Sequence, residues 1–396
     1  MYCSDEVITY CREEDVKFIR LAFCDLKGNQ KNVAIMPSEL ERAFKYGISL
    51  DASAIQDFGD EVKSDLFLFP DPSTLSALPW RPAHGRVMRM FCDIRRPNGA
   101  PFERDSRHIL KNAIAAAAKI GVSCYFGAEF EFYLFKTDEN GDPTNIPFDN
   151  AGYMDIAPED RGENVRRDIC LTLENMDIRP ETSHHEEGPG QNEIDFRYSD
   201  ALTSADNAVT FKSVVKTIAM QNGLYACFSP KPLEEESGSG LHINISIKSN
   251  GEKTEKDAFI AGILHHIKEI TAFLNPTEES YLRLGERKAP KYITWSHENR
   301  SQLIRIPAAY GEYERFELRS PDPCANPYIA YALLIYAGID GIKSGMRLCD
   351  PLDINLFTAD SSVTDRLDTL PASLSEALRL AKKSELINKY LPCILS

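Results

Sequence analysis

Four short segments of this chain alternate apolar residues with acidic, basic or imidazole side chains, and this alternation restricts the fold more than any other feature. Successive side chains of a strand point to opposite faces. In GAEFEFYLF, Glu129 and Glu131 therefore share one face, and Phe130 and Phe132 the other. QNEIDFRY sets Glu193, Asp195 and Arg197 against Ile194, Phe196 and Tyr198, and LHINISI sets His242, Asn244 and Ser246 against Leu241, Ile243 and Ile245. In ERFELRS, Arg315, Glu317 and Arg319 oppose Phe316 and Leu318. Any half-solvated sheet alternates polar with apolar, but an ordinary wet face collects Lys, Thr, Ser and Gln. These segments collect Glu, His and Arg, so we read them as strands lining one cup.

With Glu186 of SHHEEGPGQNE added, the cup holds carboxylates that cannot all ionise in a semi-enclosed site unless a cation compensates them. Oxygen-rich ligation with a single imidazole, His242, points to Mg²⁺ or Mn²⁺, because zinc and copper prefer more nitrogen or sulfur. The neighbouring His184 and His185 read as buttresses of Glu186. Downstream, Arg283, Arg300, Arg305 and Arg319 supply guanidiniums suited to bidentate recognition of carboxylate or phosphate. Divalent cations together with arginines are what phosphoryl transfer needs; surface salt bridging is the plainer reading of any one arginine.

Around these strands, helical patterns near residues 103–120, 159–176, 202–222, 255–273, 326–344 and 373–390 lack the regular cadence of a doubly wound fold. Neither GxGxxG nor GxxxxGK[ST] follows a strand. The first hundred residues read as a small mixed sheet of KFIRLAFCD, KNVAIMP, DLFLFPD and GRVMRMFCDI with one helix, PSELERAFKYG. RRPNGAP, from Arg95 to Pro101, is strong loop punctuation, so the expected domains are residues 1–97 and 98–396, in an α+β fold with a largely antiparallel second sheet. Sixty acidic against 45 basic residues give a formal charge of -15, which argues against nucleic acid and membrane surfaces as partners. Ten scattered cysteines without a CxxC read as reduced thiols, and the acidic N-terminus is unlike a secretory signal. The apolar run from Ala325 to Ile339 is too short to span a bilayer, and a cytoplasmic location is expected.

GAEFEF, SHHEEGPGQNEIDF, SGSGLHINIS, NRSQLIRIP and ERFELRSPDPCANPY, in this order and spacing, resemble the signature blocks of the glutamine synthetase family, bacterial type. The resemblance extends to KFIRLAFCDLKGNQKNV and SDLFLFPD and so covers nearly the whole chain. It implies an N-terminal β-grasp domain, a catalytic domain with a curved antiparallel sheet, and ring-shaped homo-oligomers with active sites between subunits. By position, Glu131, Glu186 and Glu193 would hold one metal, and Glu129, His242 and Glu317 another, which bridges ATP phosphates. Arg283 and Arg319 would clamp substrate glutamate, with Gly238 giving a backbone contact. Arg300 and Arg305 would act on the phosphates and the transition state, and Glu181 and Ser246 would touch the nucleotide. Asp51 would bind and deprotonate ammonium beside Tyr153. The implied reaction is ATP-dependent ligation of glutamate and ammonium through γ-glutamyl phosphate, with two or more Mg²⁺ or Mn²⁺ per site.

Some positions depart from the family's pattern. RLGERKAP is a residue shorter than the usual flap and puts Lys288 where a glutamate is normal. Asp51-Ala52-Ser53-Ala54 replaces Asp-Gly-Ser-Ser, removing a hydroxyl from the ammonium region. Phe357 stands where some relatives carry an adenylylated tyrosine, and the shorter C-terminus favours a single hexameric ring, or something smaller, over a stacked dodecamer. Lys288 and Ala54 motivate a second reading, a γ-glutamylamide ligase that takes an organic amine. A third is a non-catalytic ring protein of the same family, against which stands the full set of metal-ligand and arginine positions.

Overall fold

Residues 2–59, 62–81, 84–249 and 253–395 are described by a computed structural model. The N-terminal sheet has six strands. At its centre, Val16–Cys24 pairs in parallel with Arg86–Arg95 and antiparallel with Gln30–Ile35, with Ile19 opposite Ile35 and Cys24 opposite Gln30. Asp65–Pro70 continues the sheet to an edge strand, Ile48–Asp51. Val7, Ile19, Leu21, Leu68 and Met90 are buried in its core, and the unit is a β-grasp domain.

Sequence patterning gave this domain one helix, now Leu40–Tyr46 preceded by a 3₁₀ turn, but there is a second, Ser4–Glu13. It buries only Val7 and Cys11, four residues apart. A stripe that narrow inside SDEVITYCRE leaves little periodic signal. The expected helix over 373–390 is interrupted as well. Ser384 adopts an extended conformation between Leu374–Lys383 and Glu385–Tyr390, its Oγ accepting from the Ile387 N–H and donating to Glu269.

The second sheet has ten strands and is antiparallel except where Trp295–His297 runs parallel with Ile304–Ile306. Its long central strand, Ser123–Thr137, pairs with five others: Leu241–Lys248, Gln191–Phe196, Ser199–Asp200, Leu224–Cys227 and Pro143–Pro147. One face of that strand carries Phe126, Phe130, Phe132 and Leu134, all buried. The helices Ala201–Gln221 and Pro327–Lys343 supply its packing partners. Phe211 stacks on Phe130 at 5.0 Å between ring centroids, and Tyr331 on Phe126 at 4.2 Å. Burial of each such phenylalanine contributes roughly 1.5–3 kcal/mol, which commits this face to the core and turns the other, with its charges, outward.

A buried arginine ties the two sheets together. Arg107, on the helix Ser106–Ala118, donates to Asp71 and Asp93 of the N-terminal domain and to Asp206 of the second domain. Nearby, Asn326 donates to the carbonyls of Asp25 and Leu26. All ten cysteines are free thiols. Among the described residues, no helix is long and apolar enough to cross a membrane.

Candidate active site

The outward face of the second sheet lines a cavity of about 440 Å³. Register builds it. Glu131 lies directly opposite Glu193, Glu129 opposite both Asp195 and His242, and Asn244 opposite Glu317 on the next strand. Cross-strand neighbours on one face stand roughly 5 Å apart, so carboxylates widely separated in sequence become adjacent. Of the residues expected here, Glu129, Glu131, Tyr153, Glu186, Glu193, Gly238, His242, Arg283, Arg300, Arg305 and Arg319 line the cavity. Glu317 sits just beneath, bonded to its walls.

Possible ligand atoms of Glu129, His242 and Glu317 all lie within 4.8 Å of one another, as do those of Glu131, Glu193 and His242, and those of His184, Glu186 and Glu193. His242 Nδ1 is 3.3 Å from Glu129 and 3.7 Å from Glu317, while its Nε2 is 3.7 Å from Glu131. His184 Nε2 meets Glu186 at 3.0 Å. The Gly240 amide donates to Glu131 Oε2 at 2.7 Å.

Electrostatics divides the carboxylates. Burial, then the charges of Asp195, Glu131, Glu129 and Glu186, pushes Glu193 well above the usual carboxylate range. Burial and Glu129 raise Asp195 to about 7, against the opposing pull of Thr182, His184 and His242. Burial works against ionisation at Glu317 too, but Arg319, His242 and Arg305 overcome it and hold that carboxyl down at about 2. At Glu186, His184, the Glu187 amide and Lys288 likewise outweigh burial and lower it. A site that raises Glu193 and Asp195 by burial and by the charges of neighbouring carboxylates is one a divalent cation relieves. The donors are oxygen-rich with one or two imidazoles, which fits Mg²⁺ or Mn²⁺.

The opposite wall is cationic. Arg319 Nη1 donates to Glu317 Oε1 at 2.5 Å and Arg305 Nη1 to Glu317 Oε2 at 2.8 Å. The Nε groups of both are buried and without a hydrogen-bond partner among the described residues, leaving donors for an anion. Arg283 is wholly buried, donating to the carbonyls of Ser320 and Arg319. Glycine is required where it passes. A Cβ on Gly238 would meet the Pro230 carbonyl at 2.5 Å and Arg283 Cγ at 2.8 Å. The Gly238 carbonyl accepts from Gln191 Nε2 at 3.1 Å.

Glu181 and Ser246 line a smaller cleft of about 130 Å³ that shares Glu129, Asp195 and Arg315 with the main cavity. Its walls include Tyr125 and Tyr198, packed edge to face at 6.3 Å. Asp51 lies elsewhere. It ends the edge strand of the β-grasp sheet, accepts from the amide and hydroxyl of Ser53, and is not among the residues lining the cup. Arg197, placed by alternation on the acidic face, falls just past the end of its strand and is exposed.

Several residues that share the site carried no role in the sequence reading. Gln191 reaches Glu131 and Gly238, Asn244 donates to Glu129 at 2.6 Å, and Arg315 donates to Asn244 at 2.8 Å. Gln191 obeys the same alternation as Glu193 and Asp195, so the signal was present. Glu187 and the two tyrosines of the smaller cleft lie outside that pattern or on its margins.

The family model described as glutamine synthetase, catalytic domain, matches residues 103–393, and that of the glutamine synthetase β-grasp domain matches residues 15–97. A glutamine synthetase of Methanosarcina mazei is 47% identical over 403 residues, covering 98% of this chain and 90% of the relative. One from Clostridium saccharobutylicum is 45% identical over 405 residues, covering 98% and 91%. Among solved structures, a GmaS/ADP complex superposes with a TM-score of 0.89 at 29% identity, covering 98% of this chain and 94% of that one.

Proposed function

The chain belongs to the glutamine synthetase family, and from that membership and the cup we propose that it joins glutamate to ammonium at the expense of ATP, through γ-glutamyl phosphate. The observation that carries this reading is Glu317, a buried carboxylate held between Arg305 and Arg319 and facing His242 and Glu129. It joins the acidic and cationic halves of the cup in one hydrogen-bonded unit. Phosphoryl transfer to a carboxylate needs both halves.

In this reading, Glu131, Glu186 and Glu193 would hold one divalent cation and Glu129, His242 and Glu317 another. Bound Mg²⁺ or Mn²⁺ would neutralise the phosphates of ATP. The adenine end takes the smaller cleft with Glu181 and Ser246, whose tyrosines offer ring faces; a structural neighbour was solved with ADP. Arg283 and Arg319 orient glutamate from below, and the carbonyl of Gly238 is within reach of its amino group. A γ-carboxylate oxygen attacks the terminal phosphorus, and the bond to the ADP oxygen breaks. Arg300 and Arg305 stabilise the charge on the transferring group.

Ammonia nitrogen then attacks the acyl carbon, and phosphate leaves with the carbon–oxygen pair and takes up the proton that the new amide nitrogen sheds. The proton that ammonium must lose passes to Asp51, supplied to this cup by a neighbouring copy in a ring, while Tyr153 flanks the acceptor. Asp51 is suited to attracting ammonium because Ser53 and Ser64 hold its carboxyl below the usual range, so it stays anionic beside the cation. The β-grasp and catalytic portions are divided at residue 97, and the enzyme works in the cytoplasm.

A mass-spectrometric endpoint assay with ATP, glutamate, Mg²⁺ or Mn²⁺, and either ammonium or a panel of small amines tests this. Glutamine as the dominant product is expected. A γ-glutamylamide formed while ammonium is ignored would replace the acceptor, and no product with any amine would overturn the enzyme reading.

A further inference from the structure

One basic side chain has its charge inside the acidic wall of the cup. Lys288 Nζ lies 2.6 Å from Glu187 Oε1 and 4.9 Å from the centre of the Tyr153 ring. Behind them, Tyr153 packs edge to face on His184 at 5.4 Å, and His184 holds Glu186. A carboxylate beside an aromatic face is the chemistry that captures a small ammonium cation. Here such a place is filled from within the chain.

The turn that delivers Lys288 is anchored at both ends. Arg283 and Ala289 are buried, and the Gly285 and Glu286 amides donate to the Ala289 and Arg283 carbonyls. Between those anchors, residues 286–288 are exposed. Arg287 donates to the Glu235 carbonyl, so the turn is fastened on its other side as well. The Lys288 side chain is about half exposed, 49%, and an ion pair so exposed is weak. It is fixed in direction but free to let go.

We propose that Lys288 is a tethered occupant of the acceptor's cation subsite, which incoming ammonium must displace from Glu187 and Tyr153 before it can be used. The proposal rests on the reading of this cup as an ammonium-dependent ligase site. Lys288 thereby sets acceptor affinity. The apparent binding constant is the intrinsic one divided by the fraction of time the subsite is open, so a latch closed four-fifths of the time weakens it about fivefold.

Initial rates with ammonium varied, at saturating ATP and glutamate, test this in Lys288→Met and Lys288→Arg. Lys288→Met is expected to lower KM for ammonium severalfold while moving kcat much less; Lys288→Arg is expected to keep the higher KM. An unchanged or raised KM in Lys288→Met overturns the proposal. A second readout needs no turnover. Acetylation of Lys288 by acetic anhydride, read by mass spectrometry as a ratio to exposed Lys119 in the same sample because ammonia also consumes the reagent, should rise when ammonium chloride replaces sodium chloride at equal ionic strength, and a flat ratio overturns the proposal. If the wild type ligates and both readouts stay flat, only the latch is wrong; if it forms no glutamine, the reading beneath it fails.

Discussion

Arg107 binds Asp206 through two parallel hydrogen bonds, Nε to Oδ1 and Nη2 to Oδ2, each 3.0 Å long. The same guanidinium reaches Asp71 at 2.9 Å and Asp93 at 3.1 Å on the β-grasp side of the seam. Arg107→Met would strand these carboxylates around an apolar stem. Breaking a buried pair by removing one partner costs about 3–5 kcal/mol. Urea denaturation should show a loss of that size, and a loss under ~1 kcal/mol would mean that the seam is held by other contacts.

Glu131 and Arg319 both line the cup, and Arg319 is also paired with the buried Glu317, so Arg319→Ala should cost some stability as well as activity. Glu131→Ala and Arg319→Ala should each reduce kcat by at least about a hundredfold, the scale of losing one preorganised electrostatic group. Far-ultraviolet circular dichroism and the size of the assembly should stay as in the wild type. Near-normal turnover in either variant would remove that residue from the site.

Chelation follows from the carboxylates. With Glu193 and Asp195 raised by burial and by their neighbours, stripping divalent cations should abolish ligation and also lower the melting temperature. Mg²⁺ or Mn²⁺ should restore both. Restoration by Zn²⁺ but not by Mg²⁺ would contradict the oxygen-rich assignment.

His266 offers a test of pH dependence away from the cup. Burial disfavours its charged form, but hydrogen bonds to Glu269 and Asp340 outweigh this and raise its pKa above the ordinary value. A raised value means that the folded state binds the proton more tightly. The stabilisation is therefore complete below pH ~6.5, the unfolded value, and disappears as pH rises through the higher folded one. His266→Gln should cost most stability near pH 6 and least near pH 9, by denaturant titration at both. An equal loss at the two pH values would mean that the imidazole acts by shape alone.

Much of the site was legible because a strand has a period of two. Glu129, Glu131, Glu193, His242 and Glu317 could be assigned to one face from spacing alone, and the register then brings them together. What periodicity cannot carry is depth and company. Arg197 obeys the same count as Asp195 yet lies past the strand's last residue, so its side chain faces water. Asp51, a site residue by resemblance and only through a neighbouring copy, caps a turn in the N-terminal domain of its own chain. Lys288 was visible as a change of charge. Its partners, Glu187 and Tyr153, arrive from a different part of the chain and only the folded structure pairs them. The helix Ser4–Glu13 escaped for a related reason, since two buried residues do not make a periodic stripe.

The strand Ser123–Thr137, with its five partners, also limits how a gene of this kind can drift. Inserting or deleting one residue within it would exchange its two faces, sending Phe130 and Phe132 into the cup and the glutamates into the packing beneath Phe211 and Tyr331. Five neighbouring strands would lose their register at once. Changes of length should therefore be confined to the connecting loops, such as the turn that carries Lys288, while the strand evolves only by replacement of one side chain at a time.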